Sequence, residues 1–243
     1  MREPRIYVDL TLEPDLRLSL PISATHHISN VLRKRIGQRI SLFNGLGGSY
    51  LAEIVSIGKR HVEVRLLAFR EEQRESTLHV TLAQGVSRTQ HMDYTLQKAV
   101  ELGVNRIVPL ISEFGNVHIE DQGAEKKLQH WKKIVISACE QCGRNLVPEL
   151  LSPIPLAQWL EADSNKVKLL LHPDASRGLS SIEITDQSLS ILSGAQGGFS
   201  EIEVESALAS DYMAIEPGPG VLRTETAAIA AISICQSRWG DMG

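Results

Sequence analysis

Short apolar runs alternate with helical stripes from about residue 78 onward, and this alternation constrains the fold more than any other feature of the sequence. The runs are typical of strands buried on both faces and lie at 78–83, 106–111, 167–171, 189–192 and 212–215. Between most of them, apolar residues recur at helical spacing, as in Met92, Leu96 and Ala99. Strands buried on both faces need helical crossovers, so the pattern predicts an α/β fold with a parallel sheet covered by helices.

The segment before residue 73 follows a different pattern. Short runs with partial apolar alternation are separated by turn sequences, and they lie at 39–43, 50–55 and 61–67. A helix is expected at about 26–35. Several short strands at close spacing predict a small barrel or sandwich. The polar stretch 69–76 marks a boundary, so we predict two domains, 1–72 and 73–243.

Composition excludes several classes of protein. The chain has 243 residues, of which 42% are hydrophobic. No run approaches the ~20 apolar residues of a membrane span, and the start lacks the ~7–15-residue apolar stretch of a signal peptide. Three cysteines do not make a disulfide framework. We therefore expect a cytoplasmic protein with no membrane partner.

The charge is distributed unevenly along the chain. Residues 1–80 contain 12 Lys/Arg against 9 Asp/Glu, whereas residues 81–243 contain 13 against 20. A mildly basic first module with dense basic residues near Arg33 and Arg35 suits contact with RNA phosphates. Chance fluctuation explains so small a difference equally well.

Two glycine-rich turns, 193–198 and 216–220, each follow a predicted strand. Ligands of open α/β sheets bind at the carboxyl ends of strands, where glycine allows the backbone to approach closely, so the turns predict one shared pocket. Tight strand-to-helix turns without a ligand are the alternative. Neither turn has dinucleotide-fingerprint spacing, and no P-loop sequence occurs. Ser200 and Glu203 form a capping-box pattern that predicts a helix start after the first turn.

Three further features carry weaker signals. The last helix, predicted at about 224–239, is apolar on nearly every side, so it is either central to the domain or contacts a second subunit. Cys139 and Cys142 have redox or zinc spacing, but inside a helix this spacing favours core packing. Candidate metal-ligand clusters are missing from the sequence, so no metal is expected. Arg223 adjoins both a glycine turn and the last helix, which makes it a candidate functional residue.

Four ordered motifs identify a family. QKAVELG at 97–103, CEQCGR at 139–144, GAQGGFS at 194–200 and VLRTETA at 221–227 together resemble the ribosomal RNA small-subunit methyltransferase E family. The resemblance implies an N-terminal PUA-like barrel and a C-terminal SPOUT α/β domain with a trefoil knot. It also implies a homodimer that uses S-adenosylmethionine to methylate N3 of a uridine in 16S rRNA of the small ribosomal subunit.

The resemblance implies roles for individual residues as well. Arg223 is expected to stabilise the uracil anion, and no residue is identified as the base. The expected cofactor-binding residues are Leu171, His172, Gly194, Gly197, Gly198, Ile215, Gly218, Val221 and Leu222. The expected RNA-binding residues are Arg5, Arg33, Arg35, Arg88 and Arg144.

Two departures from the family pattern bear on catalysis. Gln196 stands where the family usually has glutamate, and Gly220 stands where it usually has arginine. The departures keep a second function open, an RNA-binding SPOUT protein with weakened or lost catalysis. A nucleotide-dependent oxidoreductase is a third and weaker alternative.

Overall fold

The chain consists of two compact units. The computed structural model describes residues 3–72, 74–115, 121–184, 186–218 and 220–243. The first unit comprises Met1–Glu75 together with Cys139–Val147. The second unit comprises Ser76–Ala138 and Pro148–Gly243.

The first unit contains a five-stranded sheet. Its strands are β1 (Arg5–Tyr7), β2 (Arg17–Ser19), β3 (Arg39–Phe43), β4 (Ser49–Ile57) and β5 (Val62–Arg70). They pair in the order β1-β3-β4-β5-β2, with β1 parallel to β3 and the other pairs antiparallel. Alternate residues such as Ile40, Ile54 and Val64 are fully buried, because one face of each strand packs into the core of this unit. The three strands predicted in this segment are confirmed.

The predicted bounds of the first helix are wrong. The helix α1 spans Ile22–His26 and continues as a π-helical turn over His27–Val31, whereas the sequence predicted about 26–35. Pro21 is the N-cap residue, and its lack of an N–H costs nothing at that position. Arg33 has a φ of 50°, a left-handed conformation that cannot continue a helix.

The second unit contains a parallel sheet, as predicted. Its strands are β6 (His79–Gly85), β7 (Arg106–Ile111), β8 (Glu149–Leu150), β9 (Ile154–Pro155), β10 (Val167–Leu171), β11 (Ser188–Ser193) and β12 (Met213–Ile215). They follow the order β12-β10-β11-β6-β7-β8, with β9 also paired to β7. Every pairing is parallel.

Helices connect most of these strands. They are α2 (Thr89–Glu101), α3 (Asp121–Cys142), α4 (Leu156–Ala162), α5 (Glu201–Ala209) and α6 (Thr224–Trp239). The predicted capping box is present at the start of α5, where the Ser200 side chain accepts a hydrogen bond from the Glu203 N–H. In the described part of the chain, we find no helix that combines the length and apolarity needed to span a membrane.

The helix α6 is buried on one side only. Its fully buried residues are Ala228, Ala231, Ile232, Cys235 and Gln236. Ala227, Ala230 and Ile234 lie at helical spacing along another side and are only partly buried. Within a single chain, the helix is therefore not central to the domain, which leaves a half-covered apolar stripe on its outer side.

Candidate ligand pocket at the carboxyl ends of three strands

A pocket of about 620 Å³ opens where β10, β11 and β12 end. β10 lies between the other two strands, so the chain segments that follow all three strands meet at one edge of the sheet. The pocket is lined from 171–173, 193–198, 216–217 and 220–225, together with His91 and Ala227. Both glycine-rich turns line it, which confirms the prediction of one shared pocket.

The first glycine turn is packed too closely for larger residues. A Cβ atom added at Gly194 would lie 2.9 Å from the Gly198 Cα, and Gly198 itself has a φ of +73°. The Gly198 N–H donates to the Ala195 carbonyl at 2.9 Å and closes the turn. At its glycines the turn therefore presents main chain to the pocket.

A buried glutamine ties this turn to the start of α6. Gln84, at the end of β6, is 1% exposed, and its Nε2 donates to the Gly194 carbonyl and to Thr224 Oγ1, each at 3.0 Å. The Thr224 hydroxyl also donates to the Gly194 carbonyl. Sequence reasoning missed Gln84, although a polar residue at the end of an otherwise apolar strand could have indicated it.

A histidine and a glutamate form a pair in the pocket wall. His91 lies in the first turn of α2 and Glu225 in the first turn of α6, and both line the pocket. His91 Nδ1 is 2.9 Å from Glu225 Oε1. Glu225 is 9% exposed, and its Oε2 is buried without a hydrogen-bond partner among the described residues. His91 was not among the predicted residues, because nothing in the local sequence relates it to a glutamate 134 positions away.

Most of the predicted cofactor-binding residues meet in this pocket. Those that line it are Leu171, His172, Gly194, Gly197, Gly198, Val221 and Leu222. Ile215 is fully buried at the end of β12, and neither it nor Gly218 is among the lining residues. Arg223 lines the pocket and is exposed as the N-cap residue of α6. Gln196 and Gly220 also line the pocket, so both departures from the family pattern face the same space.

The predicted RNA-binding arginines are found in contrasting surroundings. Arg33 and Arg35 are exposed on the first unit. In the second unit, Arg88 lines a separate groove of about 440 Å³ with Lys126 and Lys127. These five basic side chains are accessible to a polyanion.

Arg5 and Arg144 are buried in the first unit. Arg5 Nη2 donates to the Arg144 carbonyl at 3.0 Å and to Asn145 Oδ1 at 2.6 Å, and its guanidinium lies 4.7 Å from the centre of the Phe43 ring. Arg144 Nη2 lies 2.6 Å from Glu75 Oε2, and its Nε donates to the same oxygen at 2.8 Å. Both arginines thus have protein partners, and their contact with RNA stays a prediction.

The surroundings of the cysteines bear on the predicted core packing. Cys139 is fully buried, and burial raises the pKa of its thiol to about 12, which agrees with core packing. Cys142 is partly buried. No group of three or more His, Cys, Asp or Glu in the described ranges could hold a metal ion.

Comparison with known proteins identifies the class and then the family. The family model of the RNA methyltransferase domain matches residues 74–236, and that of the RNA methyltransferase PUA domain matches residues 23–67. The fold and its pocket therefore define a protein of the RNA methyltransferase class. Ribosomal RNA small subunit methyltransferase E of Buchnera aphidicola (from Schizaphis graminum) is 37% identical over 99% of this chain and 98% of its own length. The protein of the same name from Bacillus subtilis is 30% identical over 94% of each chain. The chain belongs to the ribosomal RNA small subunit methyltransferase E family.

Solved structures agree with this family. A methyltransferase from Legionella pneumophila, in complex with the bound cofactor S-adenosylmethionine, has a TM-score of 0.97 and 38% identity, covering 99% of this chain and all of that one. A ribosomal RNA small subunit methyltransferase E from Neisseria gonorrhoeae, bound to S-adenosylmethionine, has a TM-score of 0.96 and 37% identity over 100% of both chains. The resemblance found in the sequence is confirmed.

Proposed function

We propose that this protein transfers a methyl group from S-adenosylmethionine to N3 of a uridine in 16S rRNA of the small ribosomal subunit. The observation that carries the proposal is the pocket at the ends of β10, β11 and β12, lined by both glycine-rich turns. The two solved structures described above, from Legionella pneumophila and Neisseria gonorrhoeae, have nearly the same fold as this chain and contain bound S-adenosylmethionine.

The residues present fit this cofactor. A volume of about 620 Å³ lies within the ~300–1,000 Å³ of small-molecule sites. Leu171, Val221 and Leu222 supply apolar surface for the adenine ring, and the glycine turn supplies main-chain groups. The buried Glu225 oxygen without a partner suits a cationic ligand. Ile215, at the end of β12, and Gly218, within the second glycine-rich turn, would support the wall of the pocket. When bound, S-adenosylmethionine supplies an electrophilic methyl group on a positively charged sulfur.

The protein's own contribution is to align the uracil and to stabilise charge. Alignment of two reactants can lower a barrier by ~7–11 kcal/mol. Negative charge develops on the uracil ring as the N3 proton leaves. The exposed guanidinium of Arg223 at the pocket is the catalytic group that we assign to stabilise this charge.

RNA binding is assigned to basic side chains outside the pocket. Arg33 and Arg35 on the first unit, and Arg88 with its two lysine neighbours on the second, are placed to contact phosphates. For Arg5 and Arg144 the same role requires their guanidinium groups to leave the present protein partners.

The finer architecture is part of the same proposal. We assign 1–72 to a PUA-like RNA-binding barrel and 73–243 to a SPOUT methyltransferase domain with a trefoil knot, in a cytoplasmic protein. We also assign a homodimer, because Ala227, Ala230 and Ile234 form a half-covered apolar stripe that a second copy would bury.

Methyl transfer to purified 30S particles tests the function. Particles from a strain that lacks the modification are incubated with the protein and radiolabelled S-adenosylmethionine, and reverse transcription then locates the modified base. We expect label in 16S rRNA and a reverse-transcription stop at one uridine. Calorimetric binding of S-adenosylmethionine without any transfer would favour the second candidate, an RNA-binding protein with lost catalysis. The departures from the family pattern at Gln196 and Gly220 support this candidate.

A further inference from the structure

The His91–Glu225 pair has the arrangement of an oriented base. A carboxylate only accepts hydrogen bonds, so the 2.9 Å contact with Glu225 Oε1 places the ring hydrogen of neutral His91 on Nδ1. Nε2 then carries the lone pair. No described residue forms a hydrogen bond with Nε2, and the side chain lines the pocket. The pair thus offers the pocket a proton acceptor in a fixed tautomer.

Burial distinguishes this pair from a surface contact. The side chains of His91 and Glu225 are 27% and 12% exposed. A second histidine–carboxylate pair, His130 with Asp93, has the same 2.9 Å distance but exposures of 50% and 28%, and neither residue lines this pocket. A glutamate as buried as Glu225 is costly unless a partner compensates its charge. A proton that arrives on His91 would provide that compensation.

Other charged groups lie near His91 on α2 without lining this pocket. Arg88, the N-cap residue of α2, lines a separate groove, and Asp93, two residues after His91, pairs with His130. The other titratable side chains that line the pocket among the described residues are His172, Glu216 and Arg223. Only His91 forms an ion pair with a carboxylate of this wall in the described structure.

We propose that His91 is the catalytic base that accepts the uracil N3 proton, and that Glu225 is a positioning residue that holds its tautomer. The proposal rests on the proposed function. His91 Nε2 takes the N3 proton, and the freed electron pair on N3 forms the new bond to the methyl carbon. The electron pair of the broken carbon–sulfur bond stays on sulfur, which becomes neutral. The positive charge passes to the His91 imidazolium beside Glu225, and its proton later leaves to solvent.

Single-turnover methylation of 30S particles measures the role of His91. His91→Gln keeps a side chain of similar reach without a base, and we expect the rate constant to fall by about 100-fold or more. The affinity for S-adenosylmethionine, measured by calorimetry, stays as in the wild type. His79→Gln is the matched control, because His79 is exposed at the opposite end of β6 from the pocket and should leave the rate unchanged.

The pH profile separates a base from a structural residue. With His91 present, the rate levels off once the imidazole is neutral. In His91→Gln, the rate should keep rising with hydroxide concentration until uracil N3 itself ionises. Equal profiles for the two proteins would overturn the assignment.

A readout on the ligand-free protein tests Glu225 without any reaction. Nitrogen chemical shifts of the His91 ring should show a protonated Nδ1 and a bare Nε2 in the wild type, and a mixture of tautomers in Glu225→Gln. A hydrogen on Nε2 in the wild type would overturn the proposal. If His91→Gln is destabilised, His91→Ala is assayed with added imidazole, where recovery of rate supports the base and no recovery refutes it.

The outcomes separate this inference from the function on which it rests. No transfer by the wild-type protein overturns both. Transfer by the wild type with an undiminished rate in His91→Gln overturns only the base. Loss of S-adenosylmethionine affinity in His91→Gln, in parallel with its rate, makes His91 a binding residue and likewise overturns the base.

Discussion

The indole N–H of Trp159 donates a hydrogen bond of 2.8 Å to the hydroxyl of Tyr212, deep in the second unit. The same hydroxyl donates to Asp163 Oδ2 at 2.6 Å. The Tyr212 oxygen, directly before β12, is thus hydrogen-bonded both to Trp159 in α4 and to Asp163, the C-cap residue of α4. Burial, followed by the Asp163 carboxylate, raises the pKa of Tyr212 above its ordinary value. The hydroxyl therefore stays protonated and remains a donor.

Tyr212→Phe should destabilise the protein by about 1–3 kcal/mol, because it leaves a buried carboxylate oxygen and an indole N–H without this partner. Urea unfolding measures the loss. Tyr94→Phe is the control, since Tyr94 is 49% exposed, and its stability should match the wild type. Equal stabilities for Tyr212→Phe and wild type would contradict the importance of this chain of hydrogen bonds.

Arg144→Ala should cost about 3–5 kcal/mol, because it leaves the Glu75 carboxylate as an uncompensated, mostly buried charge. The Arg144 and Glu75 side chains are only 5% and 16% exposed. Arg106→Ala removes a bridge to Glu149 whose side chains are 47% and 53% exposed, and it should cost about 0–1 kcal/mol. Chemical denaturation of both variants gives the comparison. A small loss for Arg144→Ala would favour a role in RNA contact over a role in the core.

Gly194→Ala should weaken S-adenosylmethionine binding by about tenfold. The added methyl group would lie 2.9 Å from the Gly198 backbone, so the turn must move away from its present position. Calorimetric titration measures the change. Gly123→Ala in α3 is the control, because its Cβ would meet no atom within 4 Å. An unchanged affinity would show that the main chain of this turn does not contact the cofactor.

Gly220→Arg should raise the single-turnover methylation rate by about tenfold, the effect of one added hydrogen bond to a charged group. A side chain can enter here without a clash, since a Cβ at Gly220 meets no atom within 4 Å. The arginine restores the residue usual in the family and adds a cation that faces the developing uracil anion. Gly220→Gln fills the same space without charge and should not raise the rate. An unchanged rate in Gly220→Arg would show that Arg223 already supplies this charge.

The free energy of unfolding should fall as the pH rises from about 9 towards 12, in part because of Cys235. Burial raises the pKa of this thiol to about 12, whereas an unfolded cysteine has a pKa of about 8.5. Between these values the folded state binds a proton that the unfolded state has lost, so stability is full below pH ~8.5 and declines above it. Each such thiol contributes a slope of about 1.4 kcal/mol per pH unit. Denaturation series at several pH values should show a shallower decline for Cys235→Ala, and an equal slope would contradict the assignment.

The parts of the fold with a local physical cause were predictable. The apolar runs and helical stripes predicted the parallel sheet, because the hydrophobic periodicity of a strand or helix depends on residues that are close together in the sequence. The two glycine turns predicted a shared pocket, since carboxyl ends of parallel strands lie at one edge. The start of α5 followed from Ser200 and Glu203 alone.

The parts that depend on distant contacts were not predictable. The type of a basic residue does not reveal its burial, and Arg5 and Arg144, expected on an RNA-binding surface, lie inside the first unit. The contact of His91 with Glu225 joins α2 to α6 across most of the second unit's sequence. The first helix was misplaced because Pro21 and the left-handed Arg33 set its limits.

The positions of the pocket residues along the chain have a consequence for biosynthesis. The wall of the pocket is drawn from His91, from the turns after β10, β11 and β12, and from α6 as far as Ala227. A growing polypeptide cannot complete this wall until the ribosome has released residue 227. If the methyl donor binds in this pocket as we propose, it can bind only after the second unit has been synthesised and folded almost to its end.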